Sequence, residues 1–233
     1  MNKFSNRSSE IEIMDDLDCS GEVVHRTLHE IEFINKWLGG NTITLHEVKS
    51  LLLKNKSPNE IRVADLGCGG GGMLKEISEL CARLGVRARL TGIDANPNII
   101  NYAKSGNADR PQIEFLCLDI FSEEFRLMQF DIILCTLVAH HFSNKQLSEL
   151  FKNLKNQATL GVVINDLERN PLAFYSIRFL TSVFSKSAMV KFDAPLSVLR
   201  GFKKTELQSI LQKAEIDTYN LSWQWAFRWK LVF

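Results

Sequence analysis

Residues 62–72 read RVADLGCGGGG, a short apolar run that ends in an acid and passes directly into glycine. The residues before the glycines suit a buried strand, and glycine allows both a sharp turn and the close approach of a ligand. Beyond Gly72, apolar residues recur at steps of three and four as far as Leu84, which predicts a helix. A strand, a glycine turn and a helix in this order are typical of a site for a nucleotide-like ligand.

The glycine spacing alone leaves two ligands open. Gly67, Gly69 and Gly72 fit the dinucleotide pattern GxGxxG, a weak signal that by itself would favour a nicotinamide-dependent oxidoreductase. Asp65 argues against that interpretation, because a carboxylate repels a pyrophosphate and suits a positively charged group. The stretch resembles motif I of the class I methyltransferases that use S-adenosylmethionine (AdoMet), whose amino group is such a cation. A glycine turn without a ligand is disfavoured, because so many glycines cost chain entropy without adding to a core.

Acids also end the next two predicted strands. Asp94 follows a strand over 87–93, where a carboxylate accepts hydrogen bonds from both ribose hydroxyls in either class of enzyme. Asp119 follows a strand over 112–118, and the resemblance implies that it lies beside the adenine amino group. All these acids are expected at the carboxyl edge of one parallel sheet. The resemblance implies a set of cofactor-binding residues: Asp65, Gly67, Cys68, Gly69, Asp94, Ala95, Asp119, Ile120 and Cys135.

A fourth strand, residues 130–135, is apolar after its single acid and is expected at the centre of the sheet. It leads into His140 and His141, at the strand exit where the transferable methyl group would point. A histidine near neutrality is a suitable general base for an acceptor hydroxyl. Asp166, after a fifth strand over 158–164, is expected to orient a histidine or to bind the hydroxyl. The alternative is that one histidine is merely buried and hydrogen-bonded in the loop.

Two helices are predicted before the first strand. An apolar stripe between residues 9 and 38 predicts one helix, which ends at a pair of glycines. Residues 44–47 have the form of a capping box that opens a second helix. We interpret residues 1–57 as a helical cap, which either covers a substrate or only packs, and residues 58–233 as the AdoMet-binding domain.

The segment over residues 171–192 is apolar nearly all round and is longer than an ordinary crossover helix requires. It is interpreted as a lid over the acceptor, with a dimer face and a membrane-surface helix as alternatives. Phe174 and Tyr175 in this segment, together with Trp37 in the N-terminal helix, are predicted to bind an apolar acceptor.

The C-terminal region predicts a closing hairpin. A capping box over residues 205–208 predicts the last helix, and residues 216–221 predict a strand. Residues 223–233 then alternate strictly between apolar and other side chains, which predicts an antiparallel strand. The expected fold is α/β: a Rossmann-like, mostly parallel seven-stranded sheet with helices on both faces. A closing antiparallel hairpin is typical of class I methyltransferases, whereas dinucleotide domains usually end in a sixth parallel strand.

The composition restricts the partners. The net charge of +1 gives no indication of nucleic acid binding. The five cysteines contain no CxxC pair, so reduced thiols, a cytoplasmic location and no metal site are expected. No apolar run reaches the roughly 20 residues of a membrane span, and no signal peptide is apparent.

The predicted function is transfer of a methyl group from AdoMet to a small lipophilic aromatic acceptor, with S-adenosylhomocysteine (AdoHcy) as the second product. Oxygen is favoured over carbon as the methylated atom. A nicotinamide-dependent oxidoreductase and a non-catalytic AdoMet-binding module are the alternatives. Apart from the acceptor, a second copy of the chain in a homodimer is the one partner that the sequence suggests.

Overall fold

The computed structural model of the protein describes residues 3–55 and 59–233. The described residues form seven strands: β1 (Ile61–Leu66), β2 (Ala88–Asp94), β3 (Ile113–Cys117), β4 (Phe130–Thr136), β5 (Ala158–Leu167), β6 (Asn220–Gln224) and β7 (Arg228–Val232). They build one sheet in the order β3-β2-β1-β4-β5-β7-β6. Strands β1 to β5 run parallel, and β7 is antiparallel to both of its neighbours. The predicted sheet with its closing hairpin is confirmed.

The described residues also form nine α-helices: α1 (Glu22–Trp37), α2 (Gly40–Lys54), α3 (Gly72–Leu84), α4 (Pro97–Ser105), α5 (Glu123–Arg126), α6 (Asn144–Gln157), α7 (Pro171–Phe184), α8 (Ala188–Arg200) and α9 (Lys204–Lys213). Several ends follow from local sequence. Asn96 and Asn170 cap α4 and α7, each with proline at the first helical position, and Ser143 caps α6. No helix within the described residues is both long enough and apolar enough to cross a membrane.

The core has two layers, one on each face of the sheet. Ala64 and Leu66 belong to the cluster with α6 and α9, whereas Val63 belongs to the cluster with α2 and α3. This division follows from the alternation of side chains along a strand. Strand β4 contributes to both clusters, as expected for a central strand of a parallel sheet.

Three predicted helix starts are wrong, two of them at capping patterns. The stripe over residues 9–38 predicted one helix, but α1 begins only at Glu22. Helix α2 begins at Gly40, after Gly39 turns the chain with a φ of 74°, so Thr44 lies inside the helix. The Thr44 hydroxyl is buried and lies 3.2 Å from both the Thr136 hydroxyl and the Asn165 side-chain amide. Thr205 likewise lies inside α9. The backbone N–H of Lys203, one residue before α9, donates to Glu206 instead, at 2.7 Å. In both cases a capping pattern occurs within a helix that starts earlier.

Two predicted elements are also divided differently. Residues 171–192 are not one helix but α7 and the first part of α8, which pack against each other. Residues 223–233 are not one strand, because a turn at residues 225–227 separates β6 from β7. Trp223 still pairs with Trp229 across the hairpin, since an odd number of turn residues preserves the alternation. The predicted domain boundary between residues 57 and 58 lies outside the described residues.

Candidate active site

A cavity of about 1550 Å³ opens at the carboxyl edge of the sheet. Its walls come from the loops after β1, β2, β3 and β4, from the N-terminal segment and α1, and from α7 and α8. Ligand sites usually occupy roughly 300–1,000 Å³. The cavity therefore has room for a cofactor and an acceptor side by side.

The glycine loop after β1 forms one end of this cavity. Gly67 and Gly69 both line it, with φ angles of 64° and 51° that side chains rarely adopt. A Cβ atom at Gly67 would lie 2.3 Å from the side chain of Val138, in the loop after β4. Glycine is therefore required both by the turn and by the close approach of a second loop.

Carboxylates surround the glycine loop. Asp65 lines the cavity and is only 3% exposed; burial, with a smaller contribution from the Asp94 charge, raises its pKa to about 7. No ion pair within the described chain balances its charge, so it fits an ammonium group of a ligand. Asp94 accepts hydrogen bonds from the backbone N–H groups of Asn96, at 3.0 Å, and Gly69, at 3.4 Å. Asp119 lines the cavity beside Ile120.

Two histidines line the part of the cavity that follows β4, which we call the histidine end. Strand β4 ends at Thr136, and Leu137, with a φ of 58°, turns the chain into a short 3₁₀ helix over Ala139–His141. The rings of His140 and His141 lie in contact, with their centroids 4.3 Å apart and their planes tilted by 33°. His140 is 3% exposed and His141 is 23% exposed, and both line the cavity.

A carboxylate holds each histidine through its Nδ1 atom. His140 Nδ1 lies 2.7 Å from Asp166, which also accepts the His140 backbone N–H at 3.1 Å. Burial alone would raise the pKa of Asp166, but the charge and hydrogen bond of His140 lower it, so His140 donates to an ionised carboxylate. His141 Nδ1 bonds to Asp15 in the same way. Burial opposes ionisation of Asp15, yet hydrogen bonds from His141 and Arg200 hold its pKa below its usual range.

The N-terminal segment completes this end of the cavity. Glu12 is 4% exposed, and one of its oxygens lies 3.6 Å from His140 Nε2. Burial raises the pKa of Glu12 to about 7, although the His141 and Arg200 charges act in the opposite direction. Arg200, at the end of α8, donates to the backbone carbonyl of His141 at 2.8 Å and pairs with Asp15. Arg7 donates to the carbonyl of His140 at 2.8 Å.

Comparisons with known proteins identify the class of enzyme and its cofactor. A family described as "Methyltransferase domain" matches residues 63–159. The structure is similar to that of the plantazolicin methyltransferase in complex with AdoHcy, at 26% sequence identity and a TM-score of 0.62, with 85% of this chain and 74% of that chain covered. The chain is a class I AdoMet-dependent methyltransferase. No curated protein sequence gives a significant match.

Two more distant structures share the methyltransferase fold. Magnesium protoporphyrin IX methyltransferase from Synechocystis PCC 6803, solved with bound AdoMet, is 13% identical with a TM-score of 0.58, and 97% of each chain is covered. Human N-acetylserotonin methyltransferase, also in complex with AdoMet, is 18% identical with a TM-score of 0.61. That likeness covers 97% of this chain, which spans 59% of the human protein. The cofactor of this methyltransferase is AdoMet.

The methyltransferase brings most of its predicted cofactor residues to one cavity. These are Asp65, Gly67, Cys68, Gly69, Asp94, Ala95, Asp119 and Ile120. Cys135 does not line the cavity, because its side chain points into the core beneath β4. The three residues after it, 136–138, line the cavity instead.

The three residues predicted to bind the acceptor lie elsewhere. Trp37 is 70% exposed and does not line the cavity. Phe174 packs beneath α7 against Val198, and Tyr175 is 55% exposed on the outer side of the same helix. Other residues of α7 reach the cavity: Ala173, Ser176, Ile177 and Leu180.

Sequence reasoning missed Glu12, Asp15 and Arg200 altogether. One signal was present in the sequence. Asp193 is the only acid among residues 171–199, and an acid in so apolar a stretch requires a partner. Its oxygens accept the backbone N–H groups of Ile13 and Met14, at 2.8 and 3.1 Å, and so hold the N-terminal segment over the cavity.

Proposed function

We propose that this methyltransferase transfers the methyl group to a hydroxyl oxygen of a small lipophilic aromatic acceptor. His140 and His141 activate the hydroxyl in this proposal, and Asp166 orients His140. The observation that carries the proposal is the pair of carboxylate-held imidazoles in the wall of the cavity that the glycine loop also lines.

The chemistry requires alignment of the acceptor and removal of one proton. AdoMet supplies a methyl group that its sulfonium already activates. A hydroxyl oxygen is a far better nucleophile once it has lost its proton, and a positioned histidine promotes such a loss by about 10²–10⁴-fold. A histidine whose Nδ1 donates to a carboxylate keeps Nε2 available for this task. Asp166 and Asp15 act in this way on His140 and His141.

The character of the acceptor follows from the wall beyond the histidines. The side chains there are largely aliphatic and come from the N-terminal segment, α7 and α8: Ile11, Met14, Leu17, Ile177, Leu180 and Val190. Hydroxyls of a free sugar would be left unpaired against such a wall. A phenol, a quinol or an aromatic polyketide suits it, because each presents one reactive oxygen on an apolar body.

Turnover of a panel of such phenols with AdoMet, followed by mass spectrometry and NMR of the product, tests the proposal. We expect an O-methyl product, and His140→Ala and His141→Ala each to lower turnover by about 10²–10⁴-fold. Calorimetry should find the AdoHcy affinity of both variants unchanged. His46→Ala is the matched control, since that ring is 76% exposed on α2.

Two results would contradict the proposal. Wild-type turnover in both histidine variants would show that neither imidazole activates the acceptor hydroxyl. A C-methyl product from the preferred acceptor would show that carbon, and not oxygen, is the methylated atom. Absence of turnover with every acceptor class, despite AdoHcy binding, would favour a non-catalytic module.

A further inference from the structure

Three side chains of the kind that bind metal ions converge at the histidine end of the cavity. One oxygen of Glu12 and one nitrogen each of His140 and His141 all lie within 4.8 Å of one another. Within this group, Glu12 Oε1 and His140 Nε2 are 3.6 Å apart. Glu12 and His140 are almost completely buried.

The Glu12 oxygen in this group lacks a hydrogen bond. Oε1 is buried and accepts no hydrogen bond from any described residue, whereas Oε2 accepts one from the Ser197 hydroxyl at 2.9 Å. The nearest cation is Arg200, whose Nη1 lies 3.5 Å from Oε1 without forming a hydrogen bond. Buried polar atoms without a partner are rare in folded proteins, and a bound cation satisfies a carboxylate oxygen of this kind.

The surroundings of the histidines resemble those of metal ligands. A histidine that binds a metal through one nitrogen commonly donates the N–H of the other to a carboxylate, which fixes the ring and its tautomer. His140 bonds to Asp166 through Nδ1 and directs Nε2 towards Glu12. His141 is held by Asp15.

We infer that Glu12, His140 and His141 form a binding site for a divalent transition-metal ion of the Zn²⁺ type. Two ligands bonded at about 2.1 Å in tetrahedral geometry are separated by roughly 3.4 Å, close to the 3.6 Å between Glu12 and His140. Two histidines and one glutamate form a known zinc set that leaves a coordination position open for water or substrate. Mg²⁺ suits the site less, because it prefers an octahedral set of oxygen ligands.

The charges around the site leave room for a dication. Arg200 and Arg7 approach from one side, and Arg200 is paired with Asp15. Together with Asp15, the side chains of Asp166, Asp193 and Glu12 make four carboxylates. Three guanidinium groups oppose them, those of Arg200, Arg7 and Arg228, and the last two interact with Asp166. The sequence predicted no metal site because it has no CxxC pair, and ligands more than 120 residues apart have no spacing signature.

The catalytic consequence rests on the proposed function. A hydroxyl bound at the open position of the ion would have a lowered pKa and would lose its proton to solvent. The resulting oxyanion forms the new O–C bond as the C–S bond of AdoMet breaks, and the bonding pair remains on sulfur to give AdoHcy. The histidines then activate the hydroxyl by holding the ion rather than by taking the proton themselves.

Metal titration of the untagged, chelator-treated protein tests the inference. We expect one equivalent of Zn²⁺ to bind by calorimetry, and one equivalent of Co²⁺ to give the visible d–d absorption of a site with nitrogen ligands. Glu12→Gln, which keeps the shape of the side chain, should weaken Zn²⁺ binding at least as much as Asp166→Asn. We expect Asp166→Asn to lose about ten- to a hundredfold in affinity. His46→Ala and Glu10→Gln, both exposed, are the matched controls.

Absence of stoichiometric binding in the wild type, or unchanged affinity in both Glu12→Gln and Asp166→Asn, would overturn the metal site. If the histidine variants still lose turnover in that case, the proposed function stands and the imidazoles take the proton directly. Conversely, stoichiometric Zn²⁺ binding together with a C-methyl product would support the metal site and refute the proposed O-methylation.

Discussion

Asp65 is a buried carboxylate in a cavity wall, and its pKa of about 7 reflects burial first and the neighbouring Asp94 charge second. In most proteins such a group would be paired, because an isolated buried charge is costly. No basic side chain of the described chain forms an ion pair with it. The charge is therefore expected to be balanced by the ammonium group of the ligand.

A pH dependence of cofactor binding follows. Below about pH 7 the Asp65 carboxyl is protonated in the free protein, and binding an ammonium group favours the carboxylate. Binding should therefore release a proton, and the AdoHcy affinity should fall roughly three- to tenfold between about pH 7.5 and about pH 6. Calorimetry in buffers of different ionisation enthalpy measures both effects.

Asp65→Asn should bind AdoHcy more weakly at about pH 7.5 and lose this pH dependence. Asp109→Asn, a change at a carboxylate that is 71% exposed, should behave like the wild type. An unaltered pH profile in Asp65→Asn would show that another group takes up the proton.

At the scale of elements, α7 has two apolar faces with different surroundings. One face lines the cavity and the other is more than half exposed, with Leu172, Tyr175, Phe179 and Val183 in a row. The lid stays a prediction, and the residues of α7 that reach the cavity differ from those predicted to bind the acceptor. The homodimer also stays a prediction, and the exposed apolar face of α7 is the surface on which a second copy would pack.

A substitution on the cavity face of α7 should affect the acceptor alone. We expect Ile177→Ala to raise the acceptor KM at least about tenfold, because it removes three carbons from the apolar wall and even one methylene in such a pocket is worth about 1–3 kcal/mol. The cofactor KM should not change. Steady-state kinetics with the best phenol of the panel measures both constants, and Phe179→Ala on the exposed face is the control. Equal effects of the two variants would place the acceptor elsewhere.

At the scale of the whole molecule, the cavity is assembled from parts of the chain that are far apart in sequence. The N-terminal segment, four strand-end loops and the α7–α8 pair all contribute to its wall. A ligand that contacts these parts binds only the folded protein, so its binding energy adds to the free energy of unfolding.

AdoHcy should therefore stabilise the protein as a unit. At a free concentration one hundred times its Kd, the added stability is about 2.7 kcal/mol. For a chain of this size, that corresponds to a rise in Tm of roughly 5–10 °C. Differential scanning calorimetry measures the shift, and NAD at the same concentration is the control. A comparable shift with NAD would contradict the assignment of the cavity to AdoMet.

Local sequence determined the sheet and the cofactor end of the site. Residues 61–66 are mostly apolar, contain Asp65 and lead into glycine, so strand, turn and helix are specified within one short stretch. The acids at 94 and 119 follow successive strands, and parallel strands bring their carboxyl ends to the same edge. These features depend on contacts between near neighbours in sequence, which patterns describe well.

Only the tertiary structure shows which residues form the histidine end of the cavity. Glu12 and Asp15 reach His140 and His141 because Asp193 holds the N-terminal segment across the cavity. The packing of α8 against α7 decides which face of α7 lines the cavity. The sequence of α7 does not indicate this face, because the helix is apolar nearly all round. Long-range packing has no periodicity in the sequence, so the residues that line this end of the cavity are visible only in the fold.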